Sequence, residues 1–272
     1  MTETLKKRLI TAAVLIIAAL ILILLFSTSW FAVITLIILV SIGGLEWAKL
    51  LSLKDAQKGF YIAPMLLLAY FAYKSPTLSW LFITLGFFWW LINLFLLFKY
   101  KQGTSFYKDN PLILILAGFF VIVPAWSAAI NLHTQSPYLV LFLLLLVAAA
   151  DSGAYFVGKA FGKNKLVPQI SPGKTFEGLA GGFIAAIIVA FISASILGLE
   201  EGQFSSFIYL SAIAALISVA GDLFISVMKR EANMKDSGSI LPGHGGILDR
   251  VDGLIATLPL FALGINWLAI QI

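Results

Sequence analysis

This sequence has no cysteine and little charge. Without a thiol it has no disulfide, no thiolate metal site and no cysteine nucleophile. Charged residues make up 11% of its 272 positions and apolar residues 61%. A soluble domain carries roughly 25% and roughly 45–50% of each. The mean hydropathy is +1.01. So few charges cannot keep a surface of this size in water, which excludes a soluble enzyme and makes the chain an integral membrane protein. The net charge of +5 therefore bears on orientation in a bilayer first, and no nucleic-acid partner is expected.

What the chain has instead is a series of apolar runs. A spanning helix needs about 20 mostly apolar residues. By that ruler the expected fold is an all-α helical bundle of about nine transmembrane helices, near 9–26, 30–50, 59–73, 77–98, 112–131, 137–158, 176–198, 205–228 and 250–271. The third run is short, and Asp151 interrupts the sixth. Residues 1–8 are polar and basic and lead straight into the first run, which reads as a membrane helix rather than a cleaved leader.

Positive charge gathers on the cytoplasmic side of membrane proteins, and it tests the count. With a cytoplasmic N-terminus and an outside C-terminus, seventeen of the eighteen cations face the cytoplasm and Lys74 alone does not. Glu200 and Glu201 fall outside. The first three cytoplasmic segments are short and plain. The last two, 159–175 and 229–249, are rich in glycine, proline, serine and charge. With a seam at 131–137, the chain divides into N-terminal scaffold or lipid-facing helices (1–133) and C-terminal catalytic helices with their two loops (134–272). No internal repeat is evident, which disfavours an inverted-repeat transporter.

Ionisable groups inside a membrane are costly and point to function. Asp151 follows a long apolar run, and Asp222 lies roughly 10–12 Å along its helix from the basic pair Lys229-Arg230. Asp249 and Asp252 are spaced to share a helix face. The alternative for each is a carboxylate paired with a nearby cation to join two helices. Glu46, beside Lys49 at a helix end, reads as such an interfacial pair.

Two loops add phosphate chemistry. Ser171-Pro172-Gly173-Lys174-Thr175 precedes a helix but is not a phosphate-binding P-loop, because Pro168 stands where that motif requires glycine. A Gly-Lys-Thr turn at a helix start still offers backbone N–H groups and an ammonium to a phosphate. An ordinary helix start with Thr175 as N-cap explains the segment equally well. The stretch 226–252 combines Lys229, Arg230, Lys235 and Arg250 with four glycines, among them Gly245 and Gly246, and with Asp236, Asp249 and Asp252. Glycines admit phosphate to the backbone, cations clamp its oxygens and carboxylates hold a divalent cation. His244 suits a phosphate donor or proton shuttle, or a turn-stabilising role.

At these residues the chain resembles the phosphatidate cytidylyltransferases (CDP-diacylglycerol synthases). The family signature, Ser-x-apolar-Lys-Arg-x4-Lys-Asp-x-Gly-x2-Leu-Pro-x-His-Gly-Gly-apolar-x-Asp-Arg-apolar-Asp, is matched by 226–252 at every defined position. Asp151-Ser152-Gly153-Ala154-Tyr155-Phe156 and Ser171–Thr175 look like its two upstream blocks. The resemblance implies that CTP and phosphatidic acid yield CDP-diacylglycerol and pyrophosphate in phospholipid biosynthesis, in a bacterial cytoplasmic (inner) membrane with the active site facing the cytoplasm. It further implies Mg²⁺ held by Asp222 and Asp249 with Asp252 nearby, with room for a second, monovalent or divalent, cation. Lys229, Arg230, Lys235, Arg250 and Lys174 would neutralise the two substrates. A homodimer is compatible with the family, though no pattern here requires one.

Three rival readings have distinct signatures. A secondary transporter or channel leaves the Gly-His-Gly-Gly loop without a purpose. A CTP-dependent polyprenol or phytol-type lipid kinase would release CDP rather than pyrophosphate. A CDP-alcohol phosphatidyltransferase needs an Ala-Arg and later acids where this chain has Leu254-Ile255-Ala256-Thr257. If Lys229 clamps phosphate, Lys229→Ala chiefly impairs substrate binding and raises KM well above the effect of Lys54→Ala in steady-state assays; equal effects count against the clamp.

Overall fold

The computed structural model describes residues 3–101, 110–241, 243 and 245–270. In lipid a backbone must satisfy its own hydrogen bonds, and the helix is how one segment does that alone. The helices are α1 (Glu3–Leu25), α2 (Thr28–Leu50), α3 (Asp55–Lys74), α4 (Pro76–Lys101), α5 (Pro111–Gln135) and α6 (Pro137–Phe161). After a two-stranded hairpin, β1 (Lys165–Val167) and β2 (Ser171–Thr175), come α7 (Phe176–Ile196), α8 (Glu201–Glu231) and α9 (Leu248–Trp267). Each of the nine expected helices thus has a counterpart. Among the described residues, six of them (α2 and α4–α8) are long and apolar enough to cross a membrane.

Local sequence explains where the helices start and stop. Pro76, Pro111 and Pro137 open theirs, where the missing N–H has no helical partner to lose. Thr175 caps α7 by accepting the N–H of Gly178 at 3.1 Å. Asn233, with φ of 54°, ends α8 in the left-handed conformation that asparagine tolerates. Helix α6 runs unbroken through Asp151 to Phe161, so that acid sits within a helix, as the expected span 137–158 has it. One expectation is corrected here: Ser171–Thr175 is a strand rather than a turn, paired antiparallel with β1. Helix α2 contains a π-helical stretch, Leu36–Gly43, which widens the turn and shifts the faces presented by the residues after it.

Small residues bring the helices together. Lipid gives helices no hydrophobic reason to associate, so close backbone approach must supply the contact energy. On the α6–α7 seam, a Cβ on Gly182 would stand 2.5 Å from the carbonyl oxygen of Ala150. On the α8–α9 seam, a Cβ on Gly221 would collide with the carbonyl of Asp252. Large rings fill the interior: Phe224 packs on Trp47 and Trp90, and Phe142 lies between Phe207 and Phe261. Phe60, Phe88, Ile184, Phe191 and Tyr209 point outward, as side chains facing acyl chains do.

The α6–α7 seam has no space for a methyl group. Gly182→Ala should destabilise the purified protein by about 1–3 kcal/mol, the usual cost of overpacking. Gly202→Ala, where nothing lies within 4 Å, should cost nothing. Thermal unfolding in detergent measures both.

Candidate active site

Helices α6, α7 and α8 and strand β2 enclose a groove of about 440 Å³. Ala154, Leu179, Phe183, Leu216 and Val219 give it apolar walls, and Asp151, Lys159, Lys174 and Asp222 are its charged members. Strand β2 carries Lys174 into the groove, where its Nζ lies 2.7 Å from Asp222 Oδ2. Lys174 also acts on Asp151 and Asp252, and Asp222 is close enough to interact with each of those acids. Arg250 faces Asp151 as well. Asp151, Asp222 and Asp252 thus lie within electrostatic reach of Lys174. Ser226 adds a long hydroxyl contact to Asp222 Oδ1 at 3.4 Å. Glu177 steadies the approach to the hairpin by accepting the backbone N–H of Lys163 (3.2 Å) and the side-chain amide of Asn164 (2.7 Å).

The second cluster sits where the long loop enters α9. Asp249 is buried: its Oδ1 takes the Lys229 ammonium at 2.7 Å. Its Oδ2 accepts the backbone N–H groups of Ser237 (2.8 Å) and Gly246 (3.0 Å). The Ser237 hydroxyl lies 3.0 Å from the same oxygen and 2.9 Å from Glu46 Oε2, so its single proton serves one carboxylate at a time. Gly245, with φ of 81°, closes a tight turn in which Leu241 N–H bonds back to its carbonyl at 3.0 Å. A side chain there would be both strained and pressed against Asp249.

A model of the cytidylyltransferase family matches residues 6–268. The chain belongs to that family. It is 38% identical to a phosphatidate cytidylyltransferase of Haemophilus influenzae, over 95% of this chain and 97% of the relative. It is 36% identical to one of Pseudomonas aeruginosa, over 95% and 96%. A Bacillus subtilis protein of the same name is 45% identical over 47% of this chain and 48% of its own.

In this cytidylyltransferase-family chain the expected site residues fall into two groups. Asp151, Asp222, Asp252 and Lys174 gather at the groove, with Gly173 and Thr175 also lining it. Asp249, Lys229, Gly245 and Gly246 gather at the loop, where Arg230, Lys235 and Asp236 are exposed. Ser171 begins β2 at the half-buried foot of the hairpin. His244 lies outside the described residues. Among the described residues, no three histidine or acidic side chains are arranged to hold a metal ion.

One expectation is overturned. Glu46 is fully buried, whereas Lys49 points outward. Rather than pairing with that lysine, Glu46 accepts the N–H groups of Ile247 and Leu248, each at 2.9 Å. An acid inside an otherwise apolar helix was the available signal, and the neighbouring lysine masked it. Ser237 carried no comparable signal, because its role depends on two carboxylates distant in sequence.

The two lysine–aspartate pairs differ in burial. The Lys229 and Asp249 side chains are 13% and 4% exposed, against 24% and 32% for Lys174 and Asp222. Removing one member of a buried pair strands the other charge, at about 3 kcal/mol or more. Asp249→Ala should therefore lower the unfolding midpoint by several degrees or more, and Asp222→Ala much less. Denaturation of both variants in the same detergent checks the order.

Proposed function

We propose that this protein works as a phosphatidate cytidylyltransferase: a phosphate oxygen of phosphatidic acid attacks the α-phosphorus of CTP. The bond to the β-phosphate breaks, and CDP-diacylglycerol and pyrophosphate result. The observation that carries this reading is the groove whose apolar walls lead to Lys174, Asp222 and Asp151, beside a loop built from cations and glycines. A diacyl lipid leaves the bilayer at about 0.8 kcal/mol per CH₂, so a groove between helices suits it better than an open aqueous pocket. We assign the groove to phosphatidic acid and the loop to the CTP triphosphate.

The chemistry asks for charge control rather than a protein nucleophile, since the lipid phosphate is itself the attacking anion. Lys174 and Lys229 each rest on a carboxylate, 2.7 Å away. Arriving phosphates would draw these ammonium groups onto their own oxygens, with Arg230, Lys235 and Arg250 completing the neutralisation. Such positioned charges favour the transition state, in which negative charge moves toward pyrophosphate.

Asp222 and Asp252 bring hard carboxylate oxygens near each other, and such donors fit Mg²⁺. Asp222 and Asp252 would hold it, together with Asp249 once Lys229 is engaged by substrate, and a second cation, monovalent or divalent, suits the same oxygen donors. When bound, Mg²⁺ supplies Lewis-acid stabilisation of phosphoryl oxygens. We place the chain in a bacterial inner membrane with its N-terminus and active site cytoplasmic, its C-terminus outside, and 1–133 as scaffold for the catalytic 134–272. A homodimer is consistent with this placement.

Purified protein given labelled CTP and phosphatidic acid with Mg²⁺ should release pyrophosphate and form CDP-diacylglycerol. Release of CDP instead would assign a lipid kinase, and solute flux without CTP turnover a transporter. Asp222→Asn should stay folded and lose at least about 100-fold in kcat, in line with loss of a directly acting electrostatic group. Wild-type turnover in that variant removes Asp222 from the site.

A further inference from the structure

Glu46 belongs to the N-terminal half of the chain, yet among the described residues its three hydrogen-bond donors come from the long loop and the start of α9. It grips that segment at both ends: Ser237 on one side, Ile247 and Leu248 on the other. The glycines of the loop are shaped around it. A Cβ on Gly238 would collide with the Glu46 carboxylate, and one on Gly246 would stand 2.5 Å from both of its oxygens. Burying a carboxylate is costly unless its lone pairs are answered, and these donors answer those of Glu46. From Glu46 the chain of contacts runs through Ser237 to Asp249 Oδ2, and from Asp249 Oδ1 to Lys229. The π-helical stretch of α2 ends at Gly43, just before Glu46, where it sets the face that the acid presents.

We propose that Glu46 is a positioning residue: it clasps the loop at Ser237 and at the start of α9, so that Lys229 and Asp249 face the triphosphate of CTP. This rests on the assignment of the loop to CTP. The groove that receives the lipid is lined by residues of α6, β2, α7 and α8, and Glu46 is not among them. The clasp therefore acts on one substrate and not on the other.

Glu46→Gln tests this, because an amide puts N–H donors where the loop needs acceptors. In full-length protein in phosphatidic acid-containing vesicles, the expected results are a KM for CTP raised at least fivefold and a kcat lowered at least tenfold. The KM for phosphatidic acid should stay within twofold. Hydrogen exchange at the 237–248 amides should speed up at least tenfold, with exchange in α5 and α6 unchanged. A variant that merely unfolds more easily loses kcat while both KM values hold, and that result overturns the proposal. An unchanged KM for CTP or unchanged loop exchange overturns it too. If Glu46→Gln does not fold, Ser237→Ala, which removes the hydroxyl between the two carboxylates, is held to the same KM split. A wild-type protein that makes no CDP-diacylglycerol refutes the enzymatic reading instead, and loop exchange alone then decides whether Glu46 holds the loop.

Discussion

A loop packed against the end of a membrane bundle has backbone N–H groups that water does not reach, and each must find an acceptor. Here two buried carboxylates provide them. Asp249 takes the N–H groups of Ser237 and Gly246, and Glu46 those of Ile247 and Leu248. Among its described residues the loop has no regular secondary structure beyond one bridge between Leu241 and Gly245, so these acids substitute for a ladder. Its glycines are required by the same arrangement, because side chains at Gly238, Gly245 or Gly246 would occupy the space of the carboxylates.

That clasp also joins the halves of the chain. Sequence composition separates a plain first half from a chemically loaded second half, yet α9 packs against α4 and α5 as well as α8. Glu46 extends the connection to the loop itself. In the groove, by contrast, Asp222 and its partner Lys174 keep more solvent contact. The Lys229–Asp249 pair is the more deeply buried of the two, and it is the one tied into the loop.

Much of the fold was legible because bilayer thickness sets helix length and lipid forbids unpaired backbone. Apolar runs therefore marked all nine helices among the described residues, including the short third one, which the structure extends to Asp55–Lys74. Helix ends were less legible. Asp151 breaks the hydrophobic run without breaking the helix, since an i→i−4 hydrogen bond does not depend on side-chain polarity. Lys165–Val167 and Ser171–Thr175 are too short to show a strand period, and their pairing with each other makes them strands.

The candidate site residues stand out by type, as cations, glycines and acids at a spacing that suits phosphate, and the match across 226–252 is carried wholly by residue order. Spacing along the chain also established that Asp249 and Asp252 neighbour each other at the start of one helix. Which acid faces which partner was a matter of tertiary structure alone. Asp252 turns toward Asp222 and Asp151, and Asp249 toward Lys229 and the loop, because the packing of α8 on α9 fixes the rotation of each helix. Glu46 shows the same limit. Its neighbour in sequence is Lys49, but helix rotation and burial give it Ser237, Ile247 and Leu248, partners roughly 200 positions away that only folding could supply.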